Sequence, residues 1–212
     1  DYDSKGILEG LPYDWDADYN GGRIPNCTLP LRTRAPNGDF DMLVGSDDYT
    51  VVGYRNTGDS RESEWTRETS WDIPDISGDR DRASPTFGDL DNDGDYDLLI
   101  SNARDHYPPM GYKNVGNMTH PIWERCPEWD VPDLGSYEQN PELVDLDNDG
   151  DYDLLVGGIY VAPLRFVCAF ENNGTTESPS WNRKPEWDVV TSVPSWPCPA
   201  TADLDDDGDF DI

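Results

Sequence analysis

Histidine and basic side chains are scarce in this chain. There are two His and 15 Lys or Arg against 45 acidic residues, and the formal charge is −30. A surface this anionic repels nucleic acid and acidic membranes, so neither is expected as a partner. His106 and His120 lie outside any metal or nucleophile motif, and neither G-x-S-x-G nor H-E-x-x-H occurs. His106, in Arg104-Asp105-His106-Tyr107, falls where a ligand loop could lie, but a surface histidine is the simpler reading. The abundant carboxylates are better explained as cation ligands than as an acid and a base, so no enzyme is expected. No apolar run approaches the roughly 18 residues needed to cross a bilayer. No signal peptide and no initiator Met are visible, which reads as a mature or excised segment. Helical periodicity is nearly absent as well, while Gly and Pro abound, and short strands joined by turns are the expected class.

What is present is a nine-residue string, D-x-D-x-D-G-D-[Tyr/Phe]-D, at Asp89–Asp97, Asp145–Asp153 and Asp203–Asp211. Five carboxylates so close together repel one another unless a hard cation sits among them, and an all-oxygen donor set selects Ca2+. The side chains at loop positions 1, 3 and 5 can converge on one ion, with the glycine at position 6 permitting the sharp turn. Position 7 would add its backbone carbonyl and position 9 its carboxylate. The string is not an EF-hand, because position 12 holds Ile100 or Val156 where a ligating Glu belongs. Those residues end the apolar runs Leu98-Leu99-Ile100 and Leu154-Leu155-Val156, which read as buried strands, so each loop joins two strands.

The loop is one part of a longer repeat. A Tyr/Phe-x-Asn-x-Gly turn recurs at Tyr54–Gly58, Tyr112–Gly116 and Phe170–Gly174, followed by Trp65, Trp123 and Trp181, then by Trp71-Asp72, Trp129-Asp130 and Trp187-Asp188. These markers are 58 residues apart. Trp15-Asp16 marks an earlier copy whose loop, Thr33–Asp41, keeps Asn37, Gly38, Asp39 and Asp41 but places Thr33 and Ala35 at the first two ligand positions, so weak or no calcium binding is expected there. One four-stranded sheet per repeat suits this length. One strand enters the loop over Pro85–Asp89 and one leaves it over Tyr96–Ser101; a third ends at the Tyr-x-Asn turn and a fourth contains the first Trp. The Trp side chains are expected to plug gaps between sheets, with sugar stacking as the alternative use. The expected organisation is 1–14, a truncated repeat; 15–70, a repeat with the degenerate loop; 71–128 and 129–186, repeats with complete loops; and 187–212, a partial repeat with a loop.

These loops, the Leu-Leu-Val/Ile strands behind them, Phe87-Gly88 and the Tyr-x-Asn-x-Gly turn resemble the FG-GAP/VCBS repeat family, known from the β-propellers of integrin α chains. The resemblance covers about residues 15–212. It implies an all-β fold of four-stranded propeller-type blades with calcium-binding hairpin loops, here an incomplete propeller or an open array. It also implies structural Ca2+ ligands at Asp89, Asp91, Asp93, Asp95 and Asp97, at Asp145, Asp147, Asp149, Asp151 and Asp153, and at Asp203, Asp205, Asp207, Asp209 and Asp211. Lectins and polysaccharide lyases share the fold, so the family alone does not decide the function.

Four cysteines, Cys27, Cys126, Cys168 and Cys198, permit two disulfides in any of three pairings. Sequons at Asn26, Asn117 and Asn173 could carry N-glycans, and with calcium loops they point to an extracellular, oxidising setting. The chain opens on Asp1-Tyr2-Asp3, like the tail of another loop, and stops at Ile212, just past its last one. Either it is part of a longer chain or neighbouring copies complete each other's sheets, with Ser4–Leu11 pairing near Ala200–Leu204. The expectation is a secreted, calcium-stabilised structural or adhesive module that self-associates or binds other extracellular proteins, possible as a filament subunit. A glycan-binding lectin is the alternative.

Overall fold

The computed structural model describes residues 28–31, 40–45, 50–58, 62–73, 83–102, 107–135, 139–161, 164–175, 177–191, 197–205 and 207–211. These form three antiparallel sheets and almost no helix. The first sheet holds β1 (Thr28–Leu31), β2 (Asp41–Gly45), β3 (Val51–Asn56) and β4 (Trp65–Arg67), and the second holds β5 (Ala83–Gly88), β6 (Asp97–Asn102), β7 (Met110–Asn114) and β8 (Trp123–Arg125). The third repeats the order with β9 (Asn140–Val144), β10 (Asp153–Val161), β11 (Leu164–Asn172) and β12 (Trp181–Arg183), and adds β13 (Val189–Thr191) beside β11. Within each sheet consecutive strands are neighbours, except that β13 pairs with β11. There is no closed barrel among the described residues.

The apolar triplets show why the sheets stack. Side chains on a strand alternate between faces, so a strand covered on one side needs only every second residue to be apolar. Leu98, Leu99 and Ile100 are all fully buried, as are Leu154, Leu155 and Val156. Leu98 and Ile100 join Leu43, Val51, Trp71 and Ile73 in the core shared with the first sheet, whereas Leu99 points the other way, into a core with Leu143, Leu154 and Phe170 of the third. Leu155 in turn packs with Val144, Val167 and Ala169 on the far side of the third sheet.

Tryptophan seals the joints. The Nε1–H of Trp123 donates to the carbonyl of Trp71 at 3.1 Å, and that of Trp181 donates to the carbonyl of Trp129 at 2.9 Å. The Trp of β8 or β12 is thereby bonded to the Trp that follows β4 or β8, on the neighbouring sheet. Trp71 and Trp129 are buried, as the packing role requires. Close approach also selects small residues. A side chain at Gly45 would meet the carbonyl of Ala83, and one at Gly157 the carbonyl of Pro197.

Candidate metal centre

The strings Asp89–Asp97 and Asp145–Asp153 form curls between strands, and Asp203–Asp211 forms a curl closed by the bridge between Ala202 and Asp211. In the first, Asn92 and Gly94 adopt left-handed φ values of 55° and 93°; in the second, Asn148 and Gly150 adopt 60° and 98°. Asn tolerates this region better than other non-glycine residues, and Gly enters it freely. The first carboxylate of the string closes the curl from inside: Asp89 accepts the backbone N–H groups of Asp93 and Gly94 at 3.1 and 3.0 Å. Asp203 makes the equivalent pair of bonds to Asp207 and Gly208.

The curl brings positions 1, 3 and 9 together. Carboxylate oxygens of Asp89, Asp91 and Asp97 all lie within 4.8 Å of one another, and the same holds for Asp145, Asp147 and Asp153 and for Asp203, Asp205 and Asp211. The residues at position 5 stand outside this trio. Asp93, Asp149 and Asp207 each accept the N–H of the residue two places on, Asp95, Asp151 and Asp209. The loops also meet across repeats: Asn148 donates to Asp209 at 2.8 Å. A cleft of about 320 Å³ separates the first two loops, lined by Asp89, Asn92, Tyr96, Met118, Asp151 and Tyr152 among others.

Position 9 has a second job. Asp97 accepts the N–H of Leu90 with one oxygen and that of Asn114 with the other, at 2.9 and 2.8 Å. Asp153 does the same with Leu146 and Asn172. The buried aspartate thus ties the loop to the Tyr/Phe-x-Asn turn. The turn's Asn completes the link, because Oδ1 of Asn114 accepts from Gly116 and Ile122, as Asn172 does from Gly174 and Ser180. Burial pushes the Asp97 carboxyl up to about 7 and Asp153 up to about 6, although two N–H donors pull each the other way. Burial also raises Asp89 and Asp147, with neighbouring carboxylates adding to it.

A hard cation fits this donor set. All three trio members are carboxylates, and Oδ1 of Asp91 and of Asp145 are buried without a hydrogen-bond partner. An orphaned buried oxygen costs free energy that a cation between the carboxylates would recover.

The degenerate string is described only from Phe40 onward, so Thr33, Ala35, Asn37, Gly38 and Asp39 lie outside the described residues. Its Asp41 is buried and still accepts the N–H of Asn56 at 2.8 Å. Asn26, Cys27, His106 and the segment Ser4–Leu11 lie outside the described residues too. Asn117 and Asn173 are exposed beside their turns; Asn117 Oδ1 accepts from the backbone N–H and hydroxyl of Thr119. His120 is a surface residue.

The expectation of two disulfides is corrected. Cys126 and Cys168 are free thiols, which leaves room for one bridge at most. Burial pushes the Cys126 thiol up to about 11 and raises Cys168 as well, so neither is a ready thiolate.

One recurring set escaped sequence reasoning. Arg67, Arg125 and Arg183, two residues after the first Trp of each repeat, pair with Asp72, Asp130 and Asp188 at 2.6, 2.6 and 2.5 Å. Each also donates to a backbone carbonyl of the neighbouring strand, at Gly53, Gly111 or Ala169, and lies over the ring of Tyr54, Tyr112 or Phe170. The planar guanidinium can bond and stack at once. The 58-residue spacing of these Arg residues was the signal available.

Residues 36–100 match the family model of the FG-GAP-like repeat. No curated protein and no solved structure matches the chain. The matched stretch runs from the degenerate loop through the first complete one and ends at Ile100.

Proposed function

With an FG-GAP-like repeat over residues 36–100 as the premise, we propose that the protein is a calcium-stabilised β-repeat module that mediates protein–protein association outside the cell. The observation that carries this reading is the convergence of three carboxylates in each of three loops, with Asp91 presenting a buried, unpartnered oxygen to the first group. Asp89, Asp91 and Asp97, and their equivalents in the other loops, would hold the ion, with Asp93 and Asp95 and their equivalents completing the donor set. When bound, Ca2+ neutralises the clustered charge and cross-links the strand entering the loop to the strand leaving it.

The chain's own residues then present rigid, stacked sheets. The Trp joints and the Arg–Asp pairs hold neighbouring strands in place, and the three loops lie side by side, the first two flanking one cleft and Asn148 of the second bonded to Asp209 of the third. Repeat arrays of this kind offer extended surfaces for partners. Among the described residues, no helix is long and apolar enough to cross a membrane. A disulfide, glycans on Asn26, Asn117 and Asn173, and propeller-type blades complete the reading.

Sedimentation velocity and electron microscopy of the full chain test it. Calcium-dependent, ordered association, or calcium-dependent capture of an extracellular protein, is the expected result. Identical monomers with and without calcium that bind no protein would overturn it. The lectin alternative draws on the cleft flanked by Tyr96 and Tyr152. Trp71 and Trp129 are buried and cannot serve it. Glycan-array binding lost in Tyr96→Ala would favour the lectin.

A further inference from the structure

The two complete loops of the second and third sheets have the same ligand pattern but different neighbours. The middle residue of the Tyr/Phe-x-Asn turn is Arg55 in the first sheet, Lys113 in the second and Glu171 in the third. The turn is bonded directly to the position-9 aspartate, so this middle side chain stands beside the loop.

In the second sheet, the Lys113 ammonium pairs with Asp91, whose side chain is only 5% exposed, and stands 4.0 Å from Asp93. It satisfies one oxygen of Asp91 and leaves the other buried and unpartnered. In the third sheet, Glu171 occupies the equivalent place and is held by Lys184 at 2.8 Å. Its charge adds to the negative field felt by Asp147. Arg55 in the first sheet pairs with Glu68 and lies over Trp71.

We propose that Lys113 is a tethered counter-cation of the loop Asp89–Asp97: it holds that loop's carboxylates together in the absence of metal and competes with Ca2+ for them, which makes the Asp145–Asp153 loop, flanked by Glu171, the tighter calcium site. The physical basis is direct. A divalent ion entering the first loop must displace or repel an ammonium bonded to Asp91, whereas beside the second loop the nearby ammonium, Lys184, is paired with Glu171. Low-dielectric surroundings enlarge the difference, since Asp91 and Asp97 are buried. The loops would therefore fill in sequence as calcium rises, the third sheet's first. This inference rests on the calcium reading above.

Calorimetric titration of the full chain with CaCl2, starting from chelator-stripped protein, tests it. Lys113→Met should tighten one class of sites by about tenfold, the scale expected for removing one like charge at this distance, and leave the others unchanged. Lys113→Gln serves as a second variant, with far-UV circular dichroism confirming the fold of both. Glu171→Lys should weaken a different class, the tight one that Asp149→Ala abolishes. If calcium binds to the wild type but neither Lys113 variant alters any affinity, the proposal is overturned and the calcium reading stands. If no variant, nor the wild type, binds calcium, both are overturned together.

Discussion

The carboxylate of Asp41 accepts the backbone N–H of Asn56 at 2.8 Å, the same bond that Asp97 makes to Asn114 and Asp153 to Asn172. It persists beside a string that carries Thr33 and Ala35 in place of two ligand carboxylates. The ninth residue of the string therefore has a role in the sheet that is separate from any ion. It ties two strands through a buried charge-assisted bond.

This separation predicts two kinds of mutant. Asp41→Ala removes the acceptor of the buried Asn56 N–H, a loss of about 1–3 kcal/mol. The loss should be equal in calcium and in EDTA. Asp147→Asn, at the third position of the Asp145–Asp153 string, should lower the melting temperature in calcium and leave the chelated protein unharmed. Thermal denaturation of both variants in both buffers checks this, and a calcium-dependent cost for Asp41→Ala would contradict it.

Removal of calcium should loosen the fold. An ion bound only by the native state adds about 1.4 kcal/mol per tenfold excess over its dissociation constant at each site. The expected result is a melting temperature lower by many degrees in EDTA, restored by adding back Ca2+. Identical melting curves would exclude a structural role for the ions.

The pH dependence should change sign with the metal. In EDTA the folded-state values of Asp97, about 7, and Asp153, about 6, lie above the roughly 3.9 of an unfolded Asp. The folded chain then binds more protons than the unfolded one, and the stability these groups contribute rises as the pH falls through 7 and 6 and is lost as it climbs back. Melting temperature in EDTA should be higher at pH 5 than at pH 8. In excess calcium, protons compete with the ion for the same oxygens, and acidification should be destabilising.

The Trp joints should carry much of the packing energy. Trp181→Ala empties a site between two sheets and is expected to cost about 3–5 kcal/mol. Trp181→Phe keeps most of the apolar fill but removes the donor to the Trp129 carbonyl, and should cost less. Urea denaturation resolves the two; equal, negligible losses would show that the joint is unimportant.

Glycans are expected on Asn117 and Asn173, both exposed beside tight turns where a bulky group displaces no packing. Asn26 is expected to carry one as well. Intact-mass spectrometry of native material, before and after glycosidase treatment, checks all three. A bare polypeptide mass would remove this support for a secretory origin.

Much of the fold was legible in the linear chain. The entering and leaving strands around the loops Asp89–Asp97 and Asp145–Asp153, the Tyr-x-Asn turn and the plugging Trp all follow from residue types whose preferences act locally. Gly94 and Asn92 allow the curl, alternation forces Leu98 and Leu99 to opposite faces, and three apolar residues in a row mean that both faces are covered. Charge alone raised the expectation of a cation, because five carboxylates within nine residues repel one another.

Other features depend on partners far away in sequence. Only the tertiary structure joins Trp181 to Trp129 or Arg125 to the strand carbonyl at Gly111. Only the packing leaves Cys126 and Cys168 as separate thiols, since pairing depends on distance between side chains that spacing does not encode. The difference between the loops has the same origin. Both strings read alike in the chain, and the ammonium beside one and the carboxylate beside the other come from the strand next to the one that leaves the loop, brought there by the bond between the ninth aspartate and the Asn of the turn.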